Sequence, residues 1–262
     1  MTHMSGFSTS AIMLRRIEHG DYDLIITFMA LEQGKITVIA KHARKSIKRF
    51  SGILELFAML QVVCTKGRGT MPILQEASLE QPYYHIRKDI KKTAYASYWT
   101  EIINEWLEEG KKQTDIFYLL MQTLHALDTG SVSEEHASIF FQTRFLKAAG
   151  LSPNLSECHI CKTGLDRISG NSLEIDLSGG GIVCGKCGKR PSGKKQISKG
   201  TVKQLLWISR GDEKTAKRIK FSSQTLKNGL EFLDSFISYH LGKDLKSLKF
   251  LRDMRHSHFG KR

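Results

Sequence analysis

Along the first eighty residues, apolar positions come in short runs broken by turn residues. SAIMLRRI is followed by the polar HGDYD, DLIITFMAL meets KITVIAKHA across EQG, and ILELFAMLQVVCT is separated from TMPILQEASL by KGRG. A hairpin-length connection ending in glycine suits two antiparallel strands, and the glycines of KGRG permit the positive φ a tight turn often needs. The pattern predicts five short strands with a basic loop between the third and fourth. Such a set fits a small barrel, OB-fold or SH3-like. The OB-fold is the preferred expectation, its helix missing or reduced to the turn around Arg49 to Ile53.

After Pro82 the period lengthens. Ile86, Ile90, Ala94, Tyr98 and Ile102 recur every four residues, and the stretch ends at Gly110, which predicts one long helix. TDIFYLLMQTLHALDTG closes on Gly130, and SEEHASIFFQTRFLKAAG opens on Ser133 as a cap and aligns Phe141, Phe145 and Ala148 before Gly150. Three helices on short loops should pack as a bundle. Helical periodicity returns in SKGTVKQLLWISR and in SSQTLKNGLEFLDSFISYHLGKDLKSLKFLRDM. The expected fold class is therefore α+β and multidomain: a five-stranded OB-fold at 1–80, a helical bundle at 81–156 continued by a basic second part at 198–262, and an inserted segment at 157–197.

That segment carries the strongest chemical signal. Cys158-x-x-Cys161 and Cys184-x-x-Cys187 stand 22 residues apart, and two such turns supply the four thiolates that tetrahedral Zn²⁺ requires. The intervening LDRISGNSLEIDLSGGGIV reads as a hairpin, which makes the segment a four-cysteine zinc ribbon. With four thiolates and no open position the ion should be structural. A redox pair would leave the second motif unexplained, and disulfides are disfavoured in the cytoplasmic chain expected here. His159 could replace a cysteine, but a polar neighbour of the site is the favoured reading. Cys64, within LQVVC, reads as a small buried hydrophobe.

The chain has 40 Lys plus Arg against 26 Asp plus Glu, a net +14, with 40% apolar residues, which excludes disordered and fibrous classes. No apolar run approaches the roughly 20 residues of a membrane helix, and the opening MTHMSGFSTSAIMLRR lacks a positive region ahead of an apolar stretch, so a chain without a signal segment is expected. The excess lies at the two ends: residues 1–80 carry ten basic and seven acidic side chains, 81–156 eight and nine, 157–197 seven and four, and 198–262 fifteen and six. A basic excess favours polyanionic partners. Lys41, Arg44, Lys45, Lys48 and Arg49 fall within KHARKSIKR without an intervening acid. With Lys35 and Arg68 they are the candidate face for such a polyanion, nucleic acid or an acidic membrane surface, between which charge alone does not choose, and Phe50 among them is expected in the core. Lys214, Lys217, Arg218, Lys220, Lys243, Lys246, Lys249 and Arg252 offer a second basic surface. No GxSxG, HExxH or GxxxxGK[ST] is present, and Asp21 and Asp23 read as turn chemistry, so the chain is expected not to be an enzyme.

The segments AIMLRRIEHGDYDLIITFMALEQGKITVIAKHARK, RF-x-G-x-LE-x-F at Arg49 to Phe57, GRG at Gly67 to Gly69, YASYWTEI at Tyr95 to Ile102 and RFLKAAGLSPNLSECHIC resemble the bacterial recombination mediator family RecO. The resemblance implies binding of single- and double-stranded DNA and annealing of complementary strands, including strands coated by the single-strand-binding protein SSB. It further implies docking of the SSB tail on the helical domain and joint action with RecR to load RecA. Some members of the family lack the four cysteines, which makes support of the fold the expected role of the metal. An acidic tail with an apolar end suits an apolar pocket rimmed by cations, for which Arg144, Lys147, Lys91 and Lys92 around Phe141 and Phe145 are the candidates. The alternatives are an RNA-binding or ribosome-associated protein and a scaffold whose charge serves only solubility.

Overall fold

In the computed structural model the described residues are 6–46, 49–50, 52–66, 71–188, 195–211 and 221–259. The chain forms two compact units, one of Met1–Gly130 with Leu245–Arg262, the other of Ser131–Asp244.

The first unit begins with β1 (Gly6–His19), β2 (Asp23–Ala30), β3 (Gly34–Ala40), β4 (Met59–Thr65) and β5 (Ile73–Gln81), in the order β1-β2-β3-β5-β4 with β1 also paired to β4. Alternation explains the pleat. In β3 Ile36, Val38 and Ala40 point inward, and in β4 Leu60, Val62 and Cys64 do the same, meeting Ile26, Phe28 and Leu74 in one core. Phe50 joins that core, as expected.

The expected five-stranded OB-fold barrel is corrected at its last seam. The β1–β2, β2–β3, β1–β4 and β4–β5 seams are antiparallel ladders, whereas β3 meets β5 at the single parallel pair Ile39 with Ile73. The reason is local. β3 ends one residue beyond Ile39, β5 only begins at Ile73, and Pro72, whose carbonyl accepts from the Ile39 N–H at 2.9 Å, has no N–H to return. The five strands thus form a curled sheet with four laddered sides and a one-pair fifth. The turn expected around Arg49 to Ile53 carries no helix among its described residues, and β4 starts at Met59, six residues later than the apolar run suggests.

The single long helix expected after Pro82 is likewise corrected. It breaks into α1 (Tyr84–Lys88) and α2 (Ile90–Trp106) at Asp89, whose extended backbone lets its carboxylate accept from the N–H groups of Lys91 and Lys92 at 2.8 and 3.1 Å. Ile90, placed by periodicity on the apolar stripe, is 67% exposed as a result. α2 buries Tyr95, Tyr98, Trp99, Ile102 and Ile103, packing on β1, on α3 (Thr114–Thr129) and on the C-terminal helix Lys246–Phe259. That contact explains why Ala11 to Leu14 are all buried, both faces of β1 being covered there.

Gly34 occupies a left-handed φ of 70°, and a Cβ on it would collide with the backbone carbonyl of Lys111. Replacement of Gly34 by Ala should therefore destabilise the first unit by about 1–3 kcal/mol, read as a fall in its thermal midpoint.

The second unit contains α4 (Glu134–Ala148), a sheet of β6 (Asn154–Cys158), β7 (Ser172–Asp176), β8 (Gly181–Val183) and β9 (Gln196–Ser198) in the order β6-β8-β7-β9, then α5 (Lys199–Arg210) and α6 (Ser223–Leu241). The C-terminal helix of the first unit is α7. Ser133, Ser198 and Ser222 cap α4, α5 and α6 by accepting from the N–H three residues on. The three helices share a core of Phe141, Phe145, Val202, Leu205, Phe232 and Phe236. No helix among the described residues is long and apolar enough to cross a membrane.

Candidate nucleic-acid interface and metal centre

The β2–β3 register sets the first site. Leu24 pairs with Ala40, so continuation by two residues places Tyr22 across from His42, and their rings stack at 6.3 Å with planes 23° apart. The loop is fixed to this hairpin by backbone contacts: the His42 N–H donates to the Asp23 carboxylate at 2.7 Å and the Arg44 N–H to the Tyr22 carbonyl at 3.0 Å. Asp21 and Asp23 are thus turn-forming residues. Lys45 lays its ammonium 3.6 Å from the centre of the Tyr22 ring. Arg49 stacks on Phe50 at 4.9 Å and donates to the Lys41 carbonyl at 2.5 Å, drawing the two ends of the loop together.

The charges are consequently concentrated rather than scattered. Lys41, Lys45 and Arg49 are exposed and enter no ion pair among the described residues. Arg44 pairs with Glu18 at 3.1 Å, but both ends are well exposed, a geometry worth about 1 kcal/mol or less. Lys35 does not belong to the group. It lies at the far end of β3, about 20 Å from Lys41 at the usual strand rise, and its ammonium donates to the Asn104 carbonyl of α2 at 2.7 Å. Lys48 and Arg68 lie outside the described residues. Tyr22 and His42 were not legible as site residues: each sits beside a strand end, and only the hairpin register puts them together.

Of the second basic surface, Lys214, Lys217, Arg218 and Lys220 also lie outside the described residues. Lys246 and Lys249 are exposed on α7, Arg252 is half-buried there, and Lys243 belongs to the other unit. The start of α7 is held by Glu101, whose carboxylate accepts from the N–H groups of Lys246 and Ser247 at 3.1 and 2.8 Å.

The candidate tail residues divide between the two units. Lys91 and Lys92 belong to the first, where Lys92 donates to the Asp128 carbonyl at 3.1 Å. Arg144 and Lys147 belong to the second and serve the C-terminus of α5: Arg144 donates to the Gly211 carbonyl and Lys147 to that of Ser209 at 3.0 Å. Phe141 and Phe145 stack on each other with no exposed surface, so neither lines a pocket open to solvent.

The four cysteines come together. Cys158 ends β6, Cys161 lies in the tight turn that follows, closed by Lys162 with a left-handed φ of 59°, and Cys184 and Cys187 share the turn after β8. All four Sγ atoms lie within 4.8 Å of one another, and Cys161 and Cys184 are 3.7 Å apart. A tetrahedron with metal–sulfur bonds of about 2.3 Å has edges of about 3.8 Å, so the cluster has the dimensions and the donors for one thiolate-bound ion. Hydrogen bonds with Thr163 bring the Cys161 thiol down to about 6, while those with Cys161 and Cys184 push Cys187 up to about 12. Burial raises Cys158, but N–H groups of Cys161, Cys184 and Ile160 outweigh it and bring the thiol down.

His159 stays outside the ligand set. Its ring stands with the Asp176 carboxylate beside Gly179, where any Cβ would meet both, and hydrogen bonds from Gly179 and Ser178 hold Asp176 below the ordinary carboxylate range. Cys64 is fully buried in the N-terminal core, which pushes its thiol up to about 12 and leaves it unreactive.

The profile described as Recombination protein O N terminal matches residues 4–83, and that described as Recombination protein O C terminal matches residues 87–249. A DNA repair protein RecO of Desulfosudis oleivorans is 45% identical over 259 residues, covering 97% of this chain and 100% of that protein. One from Desulfatibacillum aliphaticivorans is 46% identical over 258 residues, 98% of this chain and 100% of its own length. One from Syntrophus aciditrophicus is 34% identical over 250 residues, 94% of this chain and 95% of its own.

Proposed function

Because the chain belongs to the RecO family, we propose that it is a non-catalytic mediator of recombinational DNA repair that binds single- and double-stranded DNA, anneals complementary strands, SSB-coated ones included, and acts with RecR to load RecA. The observation that carries the DNA-binding part is the cluster of exposed cations Lys41, Lys45 and Arg49 on a loop clasped to the Tyr22–His42 stack. Annealing brings two polyanions together, and a surface that neutralises phosphates on both removes the chief repulsion before base pairing supplies the gain. Contacts of this kind read no sequence. The Tyr22–His42 stack, covered by the Lys45 ammonium, serves to hold the loop that presents these cations.

The metal in this reading is Zn²⁺, held by Cys158, Cys161, Cys184 and Cys187 in a structural role. Held by these thiolates, the ion would cross-link the turn after β6 to the turn after β8. The work happens in the cytoplasm, on the nucleoid. The acidic tail of SSB remains a partner; with Phe141 closed to solvent, contacts to Arg144, Lys147, Lys91 or Lys92 would be mainly electrostatic.

Four phosphate contacts, from Lys41, Arg44, Lys45 and Arg49, predict a log–log salt slope of about −3 for single-stranded DNA. Anisotropy titrations between low and moderate salt check it, with an RNA strand of the same sequence as competitor. A flat salt response, or RNA bound more tightly than DNA, would overturn the reading.

A further inference from the structure

The most exposed tryptophan of the chain, Trp207 on α5, is 65% accessible, which is unusual for the largest apolar side chain. Lys203, Trp207 and Arg210 stand at i, i+4 and i+7 and so share one helix face, a cation on each side of the indole. They line a groove of about 310 Å³ whose opposite side is formed by Ser156, Leu165 and Asp166 from the metal-bearing part of the same unit.

The platform is held rigidly. The Gly211 N–H returns to the Trp207 carbonyl at 2.7 Å, and Arg144 and Lys147 donate to the carbonyls of Gly211 and Ser209. These two cations therefore anchor the turn that carries Trp207 and at the same time make its surroundings positive. Lys203 is engaged by Asp166 at 2.7 Å, whereas Arg210 is exposed and enters no ion pair among the described residues.

We propose that Trp207 is a stacking platform for a nucleobase of single-stranded DNA, with Arg210 holding the adjoining phosphate. It is a single-strand contact on the unit that does not contain the basic loop. This rests on the reading of the chain as a DNA-annealing protein and gives annealing a place for a second strand. Stacking needs an open aromatic face with cations beside it, which is what the helix presents. An apolar peptide side chain would need an enclosed pocket, and apart from Trp207 itself the apolar lining here is confined to Leu165, only 5% exposed, and Leu206.

The test uses the full-length, metal-loaded chain and follows tryptophan emission and the anisotropy of a labelled strand in one titration. Oligothymidylate should quench emission with a midpoint about fivefold or more below that of an abasic strand of equal length. In Trp207→Phe the quench should vanish while circular dichroism is unchanged. A rise in anisotropy without a quench, or a quench surviving in Trp207→Phe, overturns the platform and leaves DNA binding intact. No anisotropy change at low salt overturns both. A quench produced by an acidic peptide ending in phenylalanine, and not by DNA, overturns the platform in favour of a peptide site.

Discussion

Removing the metal from the cysteine cluster should unfold the β6–β9 sheet while leaving the N-terminal strands folded. The four strands are three to five residues long, and their apolar side chains are few: Leu155, Leu173, Ile175, Ile182, Val183 and Ile197. So little burial cannot order the glycine-rich turns between them, whereas zinc bound by finger peptides contributes about 10–16 kcal/mol at neutral pH. That exceeds the whole stability of many domains, about 5–15 kcal/mol. The purified chain should contain about one zinc, as expected for a closed site of four thiolates. A high-affinity chelator under reducing conditions, or Cys184→Ser, should abolish hydrogen-exchange protection in 154–198, exposing the four cluster thiols to a thiol reagent after chelation and the remaining three in the variant. Cys64 should stay unreactive in the same sample because its strand remains folded. Protection that survives chelation, or a chain purified without metal, would end the structural assignment.

What the sequence made legible follows from how local each signal is. The cysteine pairs could be read because two ligands three residues apart meet within a single turn, and the long loop between them only has to close. Strand existence was legible from short apolar runs broken by turn residues, and Ser133 and Gly130 marked helix ends because caps act on neighbouring backbone groups. The break at Asp89 was hidden by an unbroken run of apolar positions four apart, in which Ile90 matched the spacing without facing the core. The β3–β5 seam was hidden because it depends on where two distant strands stop. Lys35 shows the same limit from the other side: composition places it with the basic loop, while strand length carries it to α2. Arg144 and Lys147 looked like cations free for a ligand because their carbonyl partners at the end of α5 are 67 and 62 residues away.

Reversing two loop charges, Lys45→Glu with Arg49→Glu, should cut annealing at moderate salt by tenfold or more. Each substitution removes a cation and puts an anion where a phosphate would sit, so that the strand is repelled by the surface meant to receive it. Two lost phosphate contacts should flatten the single-strand salt slope by about 1.4, so that the variant's deficit is largest at low salt and shrinks as salt rises. The pair also carries structure: Lys45 covers the Tyr22 ring and Arg49 closes the loop on the Lys41 carbonyl. Lys41→Glu separates the two effects, because the Lys41 ammonium makes no hydrogen bond or ion pair among the described residues, yet its charge lies in the same cluster. It should weaken DNA binding with no change in thermal midpoint. Lys35→Met should do the reverse, lowering the midpoint by removing the hydrogen bond to Asn104 while leaving the salt slope untouched. If Lys35→Met flattened the slope and Lys41→Glu did not, the DNA face would lie toward α2 and the loop beside Tyr22 and His42 would be a solvated turn.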